Sequence, residues 1–217
     1  MALSFIPLAS IVLYPIRLFV TFVHESSHAL VALMTGGHVS EIVIQPDASG
    51  YTVVSQGIAP LIDTAGYIGA TTYGAWLLAL GRKPGRSRLA LTVSALIAGA
   101  ATILFVRPWH NPFGFVWGVA IAGSLLVARA RLKDSTAEML AMFLGVQCAL
   151  NALLDLHTLI FLSARYEGGP PTDAVLMAQT THVPALIWAV LWAALAITIL
   201  WHGLRPYWAK SKTMFSP

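Results

Sequence analysis

Residues 19–35 read FVTFVHESSHALVALMT, an apolar run that three ionisable side chains interrupt within five positions. The surrounding residues favour a helix, on which His24 and His28 lie one turn apart on a single face, about 6 Å apart along the axis. Glu25 projects about 100° away from His24 around the same helix. Ionisable groups in an apolar segment are costly to bury, so this cluster is a candidate functional site.

The chain as a whole is poor in charge. Of its 217 residues, 57% are hydrophobic and 10% are charged, and the mean hydropathy is +0.74. Soluble domains carry about a quarter charged residues, so a water-soluble surface is excluded, and the abundance of aromatic and aliphatic residues excludes a disordered chain. We therefore expect an integral membrane protein in contact with the lipid bilayer. The single cysteine, Cys148, excludes an internal disulfide and a thiolate-only metal site within one chain.

Long apolar runs predict an all-α polytopic membrane protein with about six transmembrane helices. The runs cover roughly residues 3–34, 58–80, 89–106, 112–128, 136–162 and 183–202. No Ser/Gly-rich linker divides the chain, so residues 1–217 are predicted to form a single domain. The first run lacks a preceding basic region and exceeds the usual length of a signal peptide, so we expect it to be retained.

The basic residues predict the orientation of these spans. Ten of the thirteen lie in the loops between the second and third runs, between the fourth and fifth, and after the sixth. Alternate loops that share a positive charge predict that both termini lie in the cytoplasm, with the cell (inner) membrane as the expected location. The same residues form no contiguous basic face, which argues against a nucleic-acid partner.

One segment differs from the apolar runs. In residues 37–56, β-prone side chains flank the turn sequence PDASG at residues 46–50, a pattern typical of a short β-hairpin. Open strand edges are not tolerated against lipid. The hairpin is therefore expected to lie at the membrane interface or to be covered by protein.

The cluster in the first run predicts a zinc site. Zinc takes neutral imidazole nitrogens, a catalytic site keeps one position open, and a nearby carboxylate serves as a base. His24 and His28 could both reach one zinc ion, with Glu25 near enough to accept a proton from water. The alternative is that the pattern occurs by chance. In that case the helix would bury three ionisable groups at a cost in free energy with no function to favour them.

A third protein ligand is usual in such a site, and carboxylates within the apolar runs are few. Asp155 is the favoured ligand because it lies far from either end of the fifth run. Asn151, one turn earlier on the same face, could donate a hydrogen bond to the ligand, to substrate or to an oxyanion. His157 is a competing ligand, and Asp63 in the second run is a weaker candidate for a catalytic role. A polar clamp between helices is the alternative explanation for Asn151 and Asp155.

Two further segments have simpler interpretations. Small residues in the second run, among them Gly66, Gly69 and Gly74, predict close packing of helices more than they predict chemistry. The loop at residues 165–182 is the longest on the outer side, and we expect it to gate entry to the site or to contact a partner.

The unusual residues of the chain resemble a known family, the site-2 protease family of intramembrane zinc metalloproteases, peptidase family M50. The match is closest to the compact B-type branch, which lacks a PDZ domain. The resembling stretches are FVHESSHAL (22–30), LMTGGHV (33–39), AGYIG (65–69) and NALLDL (151–156), together with the predicted hairpin. They cover about half of the chain.

The resemblance implies specific roles for these residues. By it, His24, His28 and Asp155 would bind zinc and Glu25 would activate water. The hairpin would present substrate as an extended strand. Leu156 departs from the family pattern, since many members carry glycine after the ligand aspartate.

Taken together, the sequence predicts an intramembrane zinc metallopeptidase that hydrolyses peptide bonds of membrane-embedded substrates. The predicted partner is a membrane protein with a transmembrane segment. The predicted catalytic residues are Glu25 and Asn151, and the predicted metal ligands are His24, His28 and Asp155. One alternative is a non-proteolytic subunit or accessory protein with a protease-like fold, held in a larger membrane complex. Another is a cation transporter, which is disfavoured because the third, fourth and sixth runs offer almost no polar groups.

Overall fold

The computed structural model describes the backbone of residues 7–81, 85–163 and 172–214, and the side chains of residues 11–81, 85–154 and 172–205. Within these ranges the chain forms seven helices and two strands. In chain order they are α1 (Pro7–Met34), β1 (His38–Ile44), β2 (Gly50–Ser55), α2 (Ala59–Gly81), α3 (Ser87–Phe105), α4 (Pro112–Arg131), α5 (Asp134–Ser163), α6 (Asp173–Thr181) and α7 (Ala185–Met214). The predicted helical architecture with a hairpin after the first helix is confirmed.

Four helices in the described part of the chain are long and apolar enough to cross a membrane. Their apolar portions are Ser87–Phe105, Pro112–Arg131, Asp134–Leu154 and Ala185–Arg205. Six spans are therefore not confirmed, since α1 and α2 are not among these four. The polar cluster lies within α1, and α2 contains Asp63 together with several glycines and threonines.

The outer surface of the helices is apolar. Ile103 of α3, Val116 of α4 and Leu191 of α7 are each at least half exposed, whereas α4 buries Gly114 and Gly118. Small residues that face the interior and large apolar residues that face outward are typical of helices surrounded by lipid. This surface and the four apolar helices define an integral membrane protein.

Helix α2 packs against α1, α5 and α7, and glycines allow two of these contacts to be close. Gly66 and Gly69 face side chains of α1, whereas a Cβ at Gly74 would lie 2.9 Å from the carbonyl oxygen of Gly145 in α5. The prediction that these small residues serve helix packing is confirmed, but they contact two different neighbours.

Strands β1 and β2 form an antiparallel hairpin as predicted. The register pairs Ile42 with Thr52 and Ile44 with Gly50. Residues directly opposite each other on paired strands share a face of the sheet, and Ile42 and Ile44 are fully buried. This face of the hairpin therefore packs into the protein, where the strands contact α1.

The hairpin turn is fixed locally and to α1. The Asp47 carboxylate accepts hydrogen bonds from the hydroxyl of Ser49 at 2.7 Å and from its backbone N–H at 2.9 Å. These two bonds hold the pKa of the Asp47 carboxyl below its usual value. Thr21 of α1 donates to the carbonyl oxygen of Ala48 at 2.6 Å, so the turn is held beside α1.

Helix α6 lies in the segment that the sequence predicts as a loop, residues 165–182. Residues 164–171 lie outside the described part of the chain. The nine residues of α6 bury Ala174 and Met177, which form a cluster with Tyr67 of α2 and Trp192 of α7. The packing of these side chains fixes α6 against the helices that surround the polar cluster.

Candidate metal centre

Helix α1 presents the two histidines on adjacent turns, as predicted. Their ring centroids are 4.8 Å apart, and His28 is 6% exposed. His28 Nδ1 lies 2.6 Å from the carbonyl oxygen of Ile62 in α2. A carbonyl oxygen only accepts, so Nδ1 carries a proton and Nε2 of a neutral imidazole is left with a lone pair. A backbone partner of this kind orients metal-binding histidines.

Asp173, the first residue of α6, reaches both histidines. Its Oδ2 lies 3.2 Å from His24 Nε2 and 3.4 Å from His28 Nε2. One ligand atom from each of the three residues lies within 4.8 Å of the others. Tetrahedral zinc with bonds of about 2.0–2.1 Å separates its ligand atoms by about 3.4 Å. The distances from Asp173 to the two histidines match this spacing. The upper separation of 4.8 Å is larger, so the ligand atoms must move closer together to hold one zinc ion.

The charges of this group explain why the atoms converge. An ionised carboxylate only accepts hydrogen bonds, and neutral His28 offers only an acceptor at Nε2, so a proton or a metal cation must lie between them. Removal from water raises the pKa of the Asp173 carboxyl. A positive charge on His28 and hydrogen bonds from His24 and His28 outweigh this effect and hold the pKa well below its usual range. The group suits either an ion pair or a metal site.

Helix α2 approaches the histidines at a glycine. A Cβ at Gly66 would clash with Nε2 of both His24 and His28. The next residue, Tyr67, packs edge-on against the His24 ring with centroids 4.9 Å apart and stacks on Trp192 of α7 at 5.7 Å. Helix α2 thus leaves space at both nitrogens while it restricts the His24 ring.

Glu25 lines a cavity of about 300 Å³. The cavity is lined by His24, Glu25, Thr21, Tyr67 and the hairpin turn. Glu25 itself is 4% exposed. Since a water molecule occupies roughly 30 Å³ in the liquid, this polar space can hold several waters beside the carboxylate.

The remaining predicted site residues are Asp155, His157, Asn151 and Asp63. The side chains of Asp155 and His157 lie outside the described residues, so the predicted ligand role of Asp155 stays a prediction. Asn151 of α5 is half-buried, and its Nδ2 has no hydrogen-bond partner in the described part of the chain. Asp63 is buried and adjoins Ile62, whose carbonyl oxygen His28 contacts.

Asp173 is the site residue that sequence reasoning missed. It lies 149 residues from His24, in a segment interpreted as an outer loop. A Thr-Asp pair before apolar residues at helical spacing is a signal for a helix start, and it occurs at Thr172 and Asp173. That signal predicts α6 but does not indicate which part of the protein its first residue contacts.

The apolar helices and the convergence of His24, His28 and Asp173 define a helical membrane protein with a group of side chains that could hold a metal ion. The family model described as Peptidase M50B-like matches residues 1–203, so the chain belongs to this peptidase family. The resemblance found in the sequence is thereby confirmed. No curated protein and no solved structure matches the chain significantly.

Proposed function

We propose that the protein is a zinc-dependent intramembrane metallopeptidase that hydrolyses peptide bonds of proteins with a transmembrane segment. The observation that carries this proposal is the convergence of His24, His28 and a carboxylate within 4.8 Å. The Glu25 side chain lies next to them at a polar cavity. Two imidazoles, one carboxylate ligand and one free carboxylate are the groups that zinc-assisted hydrolysis requires.

Each residue has a defined part in the proposed reaction. When bound, zinc supplies a Lewis acid that lowers the pKa of water and polarises a carbonyl. Glu25 accepts a proton from the attacking water as the new C–O bond forms, and passes a proton to the amide nitrogen as the C–N bond breaks. Asn151, whose Nδ2 is unpaired among the described residues, donates a hydrogen bond to the substrate.

The hairpin supports a route for the substrate. The outer edge of β1 is covered, because Arg107 donates to the Ser40 carbonyl oxygen at 3.2 and 3.0 Å and Asn111 donates to that of Ile44 at 2.9 Å. Among the described residues, no side chain donates a hydrogen bond to a backbone carbonyl oxygen on the outer edge of β2. We propose that an unwound substrate segment adds to β2 as a strand, next to Glu25.

The membrane arrangement is part of the same proposal. We propose that α1 and α2 cross the bilayer together with the four apolar helices and that both termini lie in the cytoplasm. The proposed location is the cell (inner) membrane. Ten basic residues in alternate loops and after the last span support this orientation.

Removal of metal gives the direct test of the function. We expect the purified protein in lipid bilayers to cleave a single-span substrate, to lose cleavage with a zinc chelator and to regain it with added zinc. The measurement is the amount of substrate fragment over time. Cleavage that persists with the chelator would contradict zinc dependence. An inactive protein that co-purifies with a fixed membrane complex would instead favour the accessory-subunit alternative.

Two carboxylates compete as the third ligand, Asp155 by resemblance and Asp173 by its distance to the histidines. A catalytic zinc ion bound by two histidines takes one more protein ligand and keeps one position open, so we expect removal of the ligand carboxylate, by Asp155→Asn or Asp173→Asn, to lower zinc affinity by about 10-fold or more. The measurement is zinc bound by each purified variant, and the larger loss identifies the principal ligand. Asp134→Asn is the matched control, because Asp134 pairs with Arg88 at the surface. Full zinc content in both variants would refute the carboxylate ligand.

A further inference from the structure

A threonine interrupts the apolar face that the hairpin packs into the protein. Thr52 is paired with Ile42, and Gly50 with Ile44, so all four residues share one face of the hairpin. Ile42 and Ile44 are fully buried, and valine or isoleucine would serve packing as well at position 52. A threonine hydroxyl on this face needs a hydrogen-bond partner.

That partner is Glu25. Thr52 Oγ1 lies 2.7 Å from Glu25 Oε2 and 3.1 Å from the Glu25 carbonyl oxygen. One hydroxyl has a single proton to donate, and an ionised carboxylate is the stronger acceptor, so the bond goes to Oε2. No other hydrogen-bond donor in the described part of the chain reaches this carboxylate.

Because Gly50 has no side chain, strand β2 can lie close to Glu25 of α1. A Cβ at Gly50 would lie 2.9 Å from Thr21 Cγ2 and 3.1 Å from Glu25 Cγ. Both distances are shorter than an ordinary van der Waals contact between carbon atoms. The backbone of β2 therefore lies directly against the Glu25 side chain, two residues before Thr52.

We infer that Thr52 is a positioning residue for Glu25, holding its carboxylate beside His24 in the polar cavity. The inference rests on the proposed function, in which Glu25 is the proton acceptor. A glutamate side chain has several staggered rotamers, and a displacement of about 1 Å at a reacting group can lower a rate by about 100-fold. The strand proposed to receive the substrate thus also holds the base.

The test compares Thr52→Val with Thr52→Ser in the full-length protein in bilayers. Valine keeps the branched shape and lacks the hydroxyl, whereas serine keeps the hydroxyl. We expect Thr52→Val to lower kcat about 10- to 100-fold with KM and zinc content near wild type, and Thr52→Ser to stay within about threefold. Equal losses in both variants, or a loss of zinc, would show a merely structural role and overturn the inference.

Thr92→Val provides the matched control. Thr92 of α3 donates to the carbonyl oxygen of Arg88 at 2.7 Å, so this variant also removes one threonine hydroxyl bond, on a helix that contributes none of the proposed site residues. We expect kcat and KM of wild type. A loss of kcat equal to that of Thr52→Val would overturn the assignment of a specific role to Thr52.

Infrared difference spectroscopy separates this inference from the proposed function, because it needs no turnover. The carboxylate band of Glu25 is identified by its loss in Glu25→Gln. We expect this band to shift in Thr52→Val and to stay in place in Thr52→Ser. An unshifted band overturns the inference. A shifted band in a protein that cleaves no substrate supports the contact and refutes the proposed function.

Discussion

Glu25→Gln is expected to lower the rate of substrate cleavage by roughly 10²–10⁴-fold while zinc stays bound. Glutamine has nearly the shape of glutamate and can keep the contact with Thr52, but it cannot accept a proton from water. Since the side chain is 4% exposed and lines a cavity with His24, the substitution removes one charge from the site and little packing. The measurements are kcat with a single-span substrate and zinc per chain.

Glu41→Gln is the matched control for this substitution. Glu41 lies on β1, with its Oε2 3.4 Å from His110 Nδ1 at the surface, so the same change of charge occurs on the same hairpin. We expect its cleavage rate to remain that of wild type. Unchanged cleavage in Glu25→Gln would refute the role of Glu25 as the base. Loss of zinc in that variant would indicate that Glu25 is a zinc ligand.

Gly66→Ala is expected to reduce zinc binding by about 10- to 100-fold or more, although residue 66 has no ligand atom. The added methyl group would occupy the space next to Nε2 of both His24 and His28. Interiors are packed too tightly to absorb such an overlap without displacement, so one imidazole or the helix itself must move. Zinc content and cleavage are expected to fall together.

Gly69→Ala separates metal binding from helix packing. It places the same methyl group one turn away on α2, where it would clash with Ser27 of α1 and not with the histidines. We expect this variant to be destabilised, as measured by thermal unfolding, and to retain zinc more fully than Gly66→Ala. Equal zinc loss in both variants would show that zinc binding depends on the α1–α2 interface as a whole and not on the space beside the imidazoles.

Local patterns accounted for much of the fold and the centre of the site. The His24–His28 spacing predicts two imidazoles on one helix face because helical geometry fixes side chains four residues apart, and the rings are 4.8 Å apart. The hairpin followed from β-prone residues around a turn sequence, and its strands are confirmed. In each case the relevant contacts are close in sequence, so propensity and periodicity suffice.

Contacts between distant segments were not predictable in the same way. Asp173 reaches the histidines from 149 residues along the chain, because Met177 and its neighbours pack α6 against Tyr67 and Trp192. The contact of Thr52 with Glu25 spans 27 residues and depends on how the hairpin docks on α1. Both contacts depend on the packing of side chains from distant segments, and a single sequence does not show which distant segments pack together.

The sequence by itself determined that this is a helical membrane protein with a His-Glu-His cluster in an apolar helix, because low charge and helical spacing act through composition and local geometry. Only the tertiary structure decided what surrounds the cluster. It brought the Asp173 carboxylate to the imidazoles, left space for them at Gly66, and set the Thr52 hydroxyl against the base. These placements depend on close packing between helices and the hairpin, which is a property of the folded chain.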